Sequence, residues 1–382
     1  MHIEQREWTS AEGWGAPEGS VGGPADVVFI FGDTETLAQP TPRGLLREFY
    51  GEAPLFGCST AGEIRGVRVR DGTLVATAVR FARARLRLER VQLADFAGSL
   101  EAGRHLAGAF PGEGLRHLFV LSDGVKVNGS ALVSGLSEAL PKEVAVTGGL
   151  AGDGTRFSRT LVCAGDQPRE GLIAAIGLYG PGLRVGYGSL GGWDPFGPER
   201  LVTRSAGNVL FELDGRSALS LYKEFLGEHA SGLPASGLLF PLALRGRAGD
   251  PGVVRTILGV DEKQGSLTFA GDVPEGGYVR LMKANFDRLI DGASGAARAA
   301  ASLGSPTELA LLVSCVGRKL VLQQRIEEEV EAARDAISGG DAVAGHPVLT
   351  GFYSYGEISP FTPSARCELH NQTMTITTLS EG

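Results

Sequence analysis

Residues 57–64 read GCSTAGEI, and residues 351–358 read GFYSYGEI. Each has a glycine, a hydroxyl residue three positions on, and then Gly-Glu-Ile. Each follows a short apolar run, APLF at 53–56 and PVLT at 347–350. A looser version, GGLAGDG, occupies 148–154. An apolar run that ends in small and polar residues predicts a buried strand with a tight exit, where glycine lets the backbone pass close to its neighbours.

Upstream of each exit the pattern is the same. DVVFIFGD (26–33), LRHLFVLSDG (115–124) and ELALLVSCVGR (308–318) predict buried strands, and a helical stretch follows each. The three stretches therefore read as β-α-β units, a duplication in two or three copies rather than a solenoid. The helix over 319–337 is strongly amphipathic. Leu320, Leu322, Ile326, Val330 and Ile337 are expected on its buried side, and Glu327, Glu328, Glu331 and Arg334 in solvent. Between the units, hairpins are expected at Asp71-Gly72 and at Gly180-Pro181-Gly182. Three strands are expected over 253–284, a helix over 284–304 and one closing strand over 367–380. The whole predicts an α/β (mixed α+β) protein of two related domains, each with mixed sheets and helices packed on the outer faces. The boundaries are an N-terminal extension at 1–25 and domains at 26–205 and 206–382.

Of the 382 residues, 36 are Lys or Arg and 44 are Asp or Glu, a formal net charge of −8. That balance disfavours nucleic acid or an anionic membrane as partner. RFARARLRLER (80–90) reads as a strand with a solvated basic face. No apolar stretch is long enough for membrane insertion, and the first residues lack the apolar core of a signal peptide. The four cysteines show no CxxC spacing, so reduced thiols and a cytoplasmic location are expected. Glycine is the outlier, with 57 residues, about twice ordinary usage.

Several chemistries are weighed against these motifs. A phosphate loop needs a helix directly after its glycines, whereas GGLAGDG is followed by TRFSRTLVCAG and GCSTAGEI by RGVRVRDG, both read as strand. A nucleophile elbow at Cys58 or Ser59 also needs a following helix. Cys367 and His370 fall on opposite faces of a strand and lack further metal ligands nearby. A binding site remains. Arg318 ends a strand before a helix, and its planar fork suits a carboxylate. Cys315, Tyr353, Ser354, Glu357, His370 and Asn371 are polar or soft groups in neighbouring motifs. Cys58, Ser59, Thr60, Glu63, Gly149 and Asp153 belong to the first two exits. An acid suits an α-amino group and Arg318 an α-carboxylate, so Glu63 and Glu357 are expected to face a shared or paired crevice.

Taken together, GCSTAGEI, GGLAGDG, SCVGRK (314–319), GFYSYGEI and HNQTMTIT (370–377) resemble the FIST sensory proteins, from about residue 26 onward. The resemblance implies an N-terminal and a C-terminal FIST domain and a small-molecule sensor in signal transduction, with an amino acid as the usual ligand. It implies output through a separate signalling protein such as a histidine kinase. Some relatives bind haem and sense nitric oxide, so haem is an alternative, although their axial histidine has no matching position here. An enzyme using Cys58 or Ser59 is the other alternative.

Overall fold

The structure is a computed structural model that describes residues 1–165, 167–245, 252–301, 306–339, 346–361 and 366–382. Its first segment runs β1 (His2–Thr9), β2 (Gly13–Trp14), β3 (Glu18–Gly19), β4 (Val27–Gly32), α1 (Thr34–Ala38), α2 (Pro40–Tyr50), β5 (Leu55–Ser59), β6 (Glu63–Arg65), β7 (Arg68–Arg70) and β8 (Leu74–Arg80). The second contains β9 (Arg85–Gln92), α3 (Ser99–Gly108), β10 (Leu115–Ser122), α4 (Gly129–Ala139), β11 (Ala145–Leu150), β12 (Val162–Ala164), β13 (Pro168–Arg169) and β14 (Leu172–Tyr179). The third opens with β15 (Leu183–Leu190) and is then interrupted. The interruption holds β16 (Asp194–Ala206), β17 (Val209–Leu213), β18 (Arg216–Ser217), α5 (Ala218–Leu226), β19 (Leu242–Arg245), β20 (Val253–Arg255), β21 (Ile257–Asp261), β22 (Ser266–Phe269) and β23 (Tyr278–Lys283). The segment resumes with α6 (Phe286–Ala301), β24 (Leu309–Cys315), α7 (Val316–Leu322), α8 (Ile326–Ile337), β25 (Val348–Ser354), β26 (Gly356–Pro360), β27 (Cys367–His370) and β28 (Met374–Glu381).

Three sheets share one strand order. They run β1-β8-β4-β5-β12-β13, β9-β14-β10-β11-β26-β27 and β15-β28-β24-β25-β6-β7, the first with β2 and β3 attached to β1. In each, a parallel pair (β4/β5, β10/β11 or β24/β25) lies at the centre, flanked by an antiparallel strand. The strand beyond the parallel pair always comes from another segment. The first segment gives β6 to β25, the third gives β26 to β11, and the second gives β12 to β5. The β-α-β repeat is thus threefold and cyclic, and its closure explains why the exits are built alike.

The repeated glycine has one physical cause. Gly57, Gly148 and Gly351 lie opposite Ile30, Val120 and Leu312 in the parallel pairs. A β-carbon on each would sit 1.6, 1.8 and 1.9 Å from the facing carbonyl oxygen, so no side chain fits.

Alternation along the fully buried strands sorts residues between the two faces of each sheet. Phe29, Phe31, Phe56, Phe119, Leu121, Leu311, Val313 and Phe352 point into a core shared by the three sheets. Phe29, Phe56 and Phe119 meet edge to face, and Phe31 stacks on Phe352 at 4.8 Å. The opposite faces carry the helices. Val28 and Ile30 pack with Leu37 and Leu46 of α1 and α2, and Leu118 and Val120 cluster with Leu132 and Leu136 of α4. The interruption has its own sheet, ordered β20-β19-β23-β16-β17-β22-β21, and its own core with Tyr222 and Phe269. The division expected at 205/206 falls at the end of β16 inside this inserted sheet.

Several local expectations are corrected. β7 and β8 flank Asp71-Gly72 but belong to different sheets, as do β14 and β15 around 180–182. Turn residues there reverse the chain without choosing its partner. The expected closing strand is two strands in two sheets, β27 and β28, separated where Gln372 adopts φ 64°. The stretch 253–284 holds four strands rather than three. The 319–337 helix is broken at Gln323, φ 49°, into α7 and α8. Leu322, Val330 and Ile337 are buried while Leu320 and Ile326 are half-buried, and Glu329 is buried on the same side.

Candidate functional site

The three exits converge. Ala61 N donates to Tyr353 O and Tyr353 N to Gly62 O, both at 2.8 Å. Gly152 N donates to Ser59 O at 2.9 Å, Gly154 N to Thr60 O at 3.1 Å and Tyr355 N to Leu150 O at 3.2 Å. Glycine is required where they touch. A β-carbon on Gly149 would lie 2.6 Å from Val313 Cγ1 and 2.9 Å from Gly356 O. The structure therefore brings Ser59, Thr60, Gly149, Asp153, Tyr353 and Ser354 into one hydrogen-bonded knot.

The two glutamates are near-copies of each other. Glu63 accepts from Thr60 Oγ1, from Thr73 N at 3.1 Å and from Thr73 Oγ1 at 2.8 Å. Glu357 accepts from Ser354 Oγ at 2.6 Å, from Thr373 N at 3.1 Å and from Thr373 Oγ1 at 2.9 Å. Glu63 is 2% exposed and Glu357 0%. Burial pushes the Glu63 carboxyl up to about 7 and the Glu357 carboxyl up to about 8, against the opposing pull of these donors. The expected shared crevice does not form. Glu63 reaches a cavity lined also by Glu7, Arg65 and Arg70, whereas Glu357 is wholly enclosed.

Asp153 is not their counterpart. Pairing sets Gly57 opposite Cys163, Gly351 opposite Ile64 and Gly148 opposite Ile358, so Val162 stands where the other exits have glutamate. The second exit is longer, and the TRFSRT stretch read as strand is irregular until β12 begins at Val162. Within it Asp153 accepts from Ser158 N and Oγ at 3.0 Å, from Arg159 N at 2.9 Å and from Tyr355 Oη. Burial pushes this carboxyl up, and those bonds outweigh it and hold it below its ordinary range.

Arg318 does not project into a crevice. It is fully buried, with Nε 3.0 Å and Nη2 2.7 Å from Glu329 Oε2. Nη1 donates to Gly191 O, on the connection from β15 into the inserted sheet, and Nη2 to Leu289 O, in the first turn of α6. Ser314 and Tyr353 donate to Glu329 Oε1 at 3.1 and 2.7 Å. The helix breaks at Gln323 so that α8 turns Glu329 inward, and the fork is used inside the protein.

The remaining expected residues lie behind this knot. Cys315 is 2% exposed, and burial pushes its thiol up, with the Glu357 charge adding to the effect. His370 Nε2 lies 2.8 Å from Ser359 O, and burial lowers its imidazole to about 4. Asn371 Nδ2 donates to Tyr355 O at 3.4 Å. His370 Nδ1, Asn371 Oδ1 and Gln372 Oε1 lack a hydrogen-bond partner among the described residues. Cys58 is fully buried with its thiol pushed well up, and Ser59 Oγ accepts from Leu161 N at 2.8 Å. Neither has the exposure that a nucleophile requires.

An open crevice lies beside the knot, at the C-terminal ends of β10 and β11. Its volume is about 260 Å³. The core lines it with Gly124 to Gly129, Leu150, Phe157 and Tyr355, and the inserted sheet with Asn208, Leu258 and Phe269 to Gly271. Phe157 stacks on Tyr355 with centroids 4.3 Å apart. Phe157 holds φ 50°, unusual for an aromatic residue, and its amide donates to Tyr355 Oη at 3.2 Å. Val125 and Leu258, 43% and 41% exposed, come from the core and the inserted sheet respectively. The only sequence signal for this place was YSYGE; Phe157 and the inserted sheet gave none.

Residues 26–216 match the FIST N domain and residues 218–360 the FIST C domain. The chain belongs to the FIST family. FIST domains are sensory domains of signalling proteins, and that role extends to this chain. No curated protein matches this FIST chain in sequence. A solved structure, the cyanuric acid hydrolase from A. caulinodans, is 11% identical over 78% of this chain and 68% of its own, with a TM-score of 0.22. At that score the likeness carries no argument about fold or activity. The buried imidazoles of His117 and His370 are each hydrogen-bonded at Nε2. Among the described residues no His, Cys, Asp and Glu side chains group to hold a metal, and no helix is long and apolar enough to cross a membrane.

Proposed function

We propose that this FIST protein senses a small metabolite, in the first instance an amino acid, bound in the crevice between the inserted sheet and the ends of β10 and β11. A separate signalling protein, such as a histidine kinase, reads the bound state. The observation that carries this reading is the crevice itself. Open α/β sheets place ligands beyond the carboxyl ends of parallel strands, and binding sites favour junctions between packed bodies. The stacked Phe157 and Tyr355 offer an apolar wall, and the turn at Gly124–Gly129 offers main-chain groups. A volume of about 260 Å³ accommodates a molecule of amino-acid size. The buried acids of the knot then support the wall from behind and do not touch ligand.

The test is a thermal-shift screen of the twenty amino acids on the wild type and on Leu258→Glu. Leu258 is exposed at the crevice, so its replacement spares the core. A ligand at 100 times its Kd adds about 2.7 kcal/mol to stability. A shift seen in the wild type and lost in Leu258→Glu is expected. No response to any amino acid, or one that the variant retains, overturns the reading.

A further inference from the structure

Arg255, on β20 of the inserted sheet, is 6% exposed. Its Nε donates to Asp272 O at 3.2 Å and its Nη1 to Leu369 O at 2.8 Å, both main-chain carbonyls. Among the described residues no carboxylate lies within ion-pairing distance of it. Arg318, by contrast, meets Glu329 at 2.7 Å. A buried guanidinium with no carboxylate in contact is costly to hold, so its persistence needs an explanation. Burial lowers Arg255 to about 10, against the opposing charges of Glu368 and Asp272, which leaves it cationic at neutral pH.

Arg255 lines a second cavity, of about 320 Å³, with Ser130 and Ser134 of α4, Asp272, Glu368 and Leu369. This cavity adjoins the crevice. Leu369 lines both, and neighbouring residues of each, Gly129 with Ser130 and Gly271 with Asp272, line one apiece. Gly271 is the pinch between them. A β-carbon there would sit 2.8 Å from Arg255 Nε and 3.1 Å from Ser130 Oγ, so guanidinium and hydroxyl flank the glycine.

We infer that Arg255 is the anion anchor of a second, polar lobe of the ligand groove, where it takes the carboxylate of a small molecule with Ser130 as hydroxyl partner. The acids lining the lobe argue for a carboxylate rather than a phosphate. A dianion would face Asp272 and Glu368, whereas a monoanion whose other end is cationic or apolar is tolerated. A carboxylate there touches the inserted sheet through Arg255 and the core through Ser130, so occupancy ties the two bodies together. The inference rests on the crevice reading only in supplying the rest of the ligand; the anchor itself is tested with simple anions.

The experiment follows melting temperature with sodium acetate, glycine and inorganic phosphate, against sodium chloride at equal ionic strength. The proteins are the wild type, Arg255→Gln and Ser130→Asp. Acetate and glycine are expected to raise the wild-type Tm more than phosphate does, and Arg255→Gln is expected to lose that response. Ser130→Asp places a carboxylate beside the guanidinium from within, so it is expected to raise the ligand-free Tm and weaken acetate binding roughly tenfold or more. Should Arg255→Gln fail to fold, Ser130→Asp carries the test alone. No wild-type response to acetate, an equal response in Ser130→Asp, or a preference for phosphate overturns the anchor. An amino-acid shift lost in Leu258→Glu but kept in Ser130→Asp removes the anchor and leaves the crevice reading standing. An acetate response lost in Ser130→Asp, with no amino acid active in any variant, removes the crevice reading and keeps the anchor.

Discussion

Replacing Glu357 by Gln separates burial from hydrogen bonding at the knot. The carboxyl titrates at about 8 in the folded protein, against an ordinary value of 4.5. Between those values the folded state holds a proton that the unfolded chain has released, so stability falls as pH rises. The slope is about 1.4 kcal/mol per pH unit. Integrated over the interval it amounts to roughly 5 kcal/mol. Glu63, titrating at about 7, adds a similar but smaller loss that is complete about one unit lower. Glutamine mimics the protonated acid. Its carbonyl accepts from Thr373 N and Oγ1, and its amide donates to Ser354 Oγ. Glu357→Gln should therefore lie within about 1 kcal/mol of the wild type near pH 5, as expected for an isosteric exchange of hydrogen bonds. Near pH 9 it should be the more stable protein by several kcal/mol. Urea unfolding followed by tryptophan fluorescence at a series of pH values measures this directly. A variant that is less stable than the wild type by the same amount at both ends would refute the reasoning. It would mean that three donors keep the carboxylate ionised despite its burial.

Arg318→Met leaves Glu329 buried without its partner and should cost about 3–5 kcal/mol in urea unfolding; a change below 1 kcal/mol would show that the pair is solvated. Gly351→Ala drives a β-carbon to 1.9 Å from Leu312 O and should cost more than about 4 kcal/mol or leave the protein insoluble; a soluble variant of wild-type Tm would contradict the register described. Leu322→Ala, at a side chain 2% exposed, should cost about 2–5 kcal/mol, and a cost under half a kcal/mol would place the wrong face of α7 against the core.

The β-α-β units were legible because their signal is local. Apolar runs such as VVFIFG, the helices after them and the glycine exits each fit within one window of sequence. Partner choice was not legible, because Asp71-Gly72 reverses the chain equally well whether the next strand pairs with β7 or joins another sheet. Arg318 was misread for a related reason. Its fork suits any carboxylate, and only the kink at Gln323 reveals that Glu329 meets it. The knot's residues were found because their small and hydroxyl side chains repeat. Asp153 was grouped with the two glutamates on spelling alone, although pairing sets Val162 in that place. Arg255 gave no signal, since one arginine in an inserted strand looks like any edge charge until its burial is known.

The cyclic exchange of strands also bears on synthesis. β6 leaves the ribosome early, yet its partner β25 begins at Val348. At about 5–20 residues per second, the β6–β7 hairpin waits on the order of 15–60 s for its sheet. The open edge of β11 likewise waits for β26, near the end of the chain. During that time the nascent protein presents unpaired strand edges, which invite pairing with other chains. Chaperone demand should therefore persist until β25 and β26 emerge, and nascent chains stalled before residue 348 should be more prone to aggregate than the released protein.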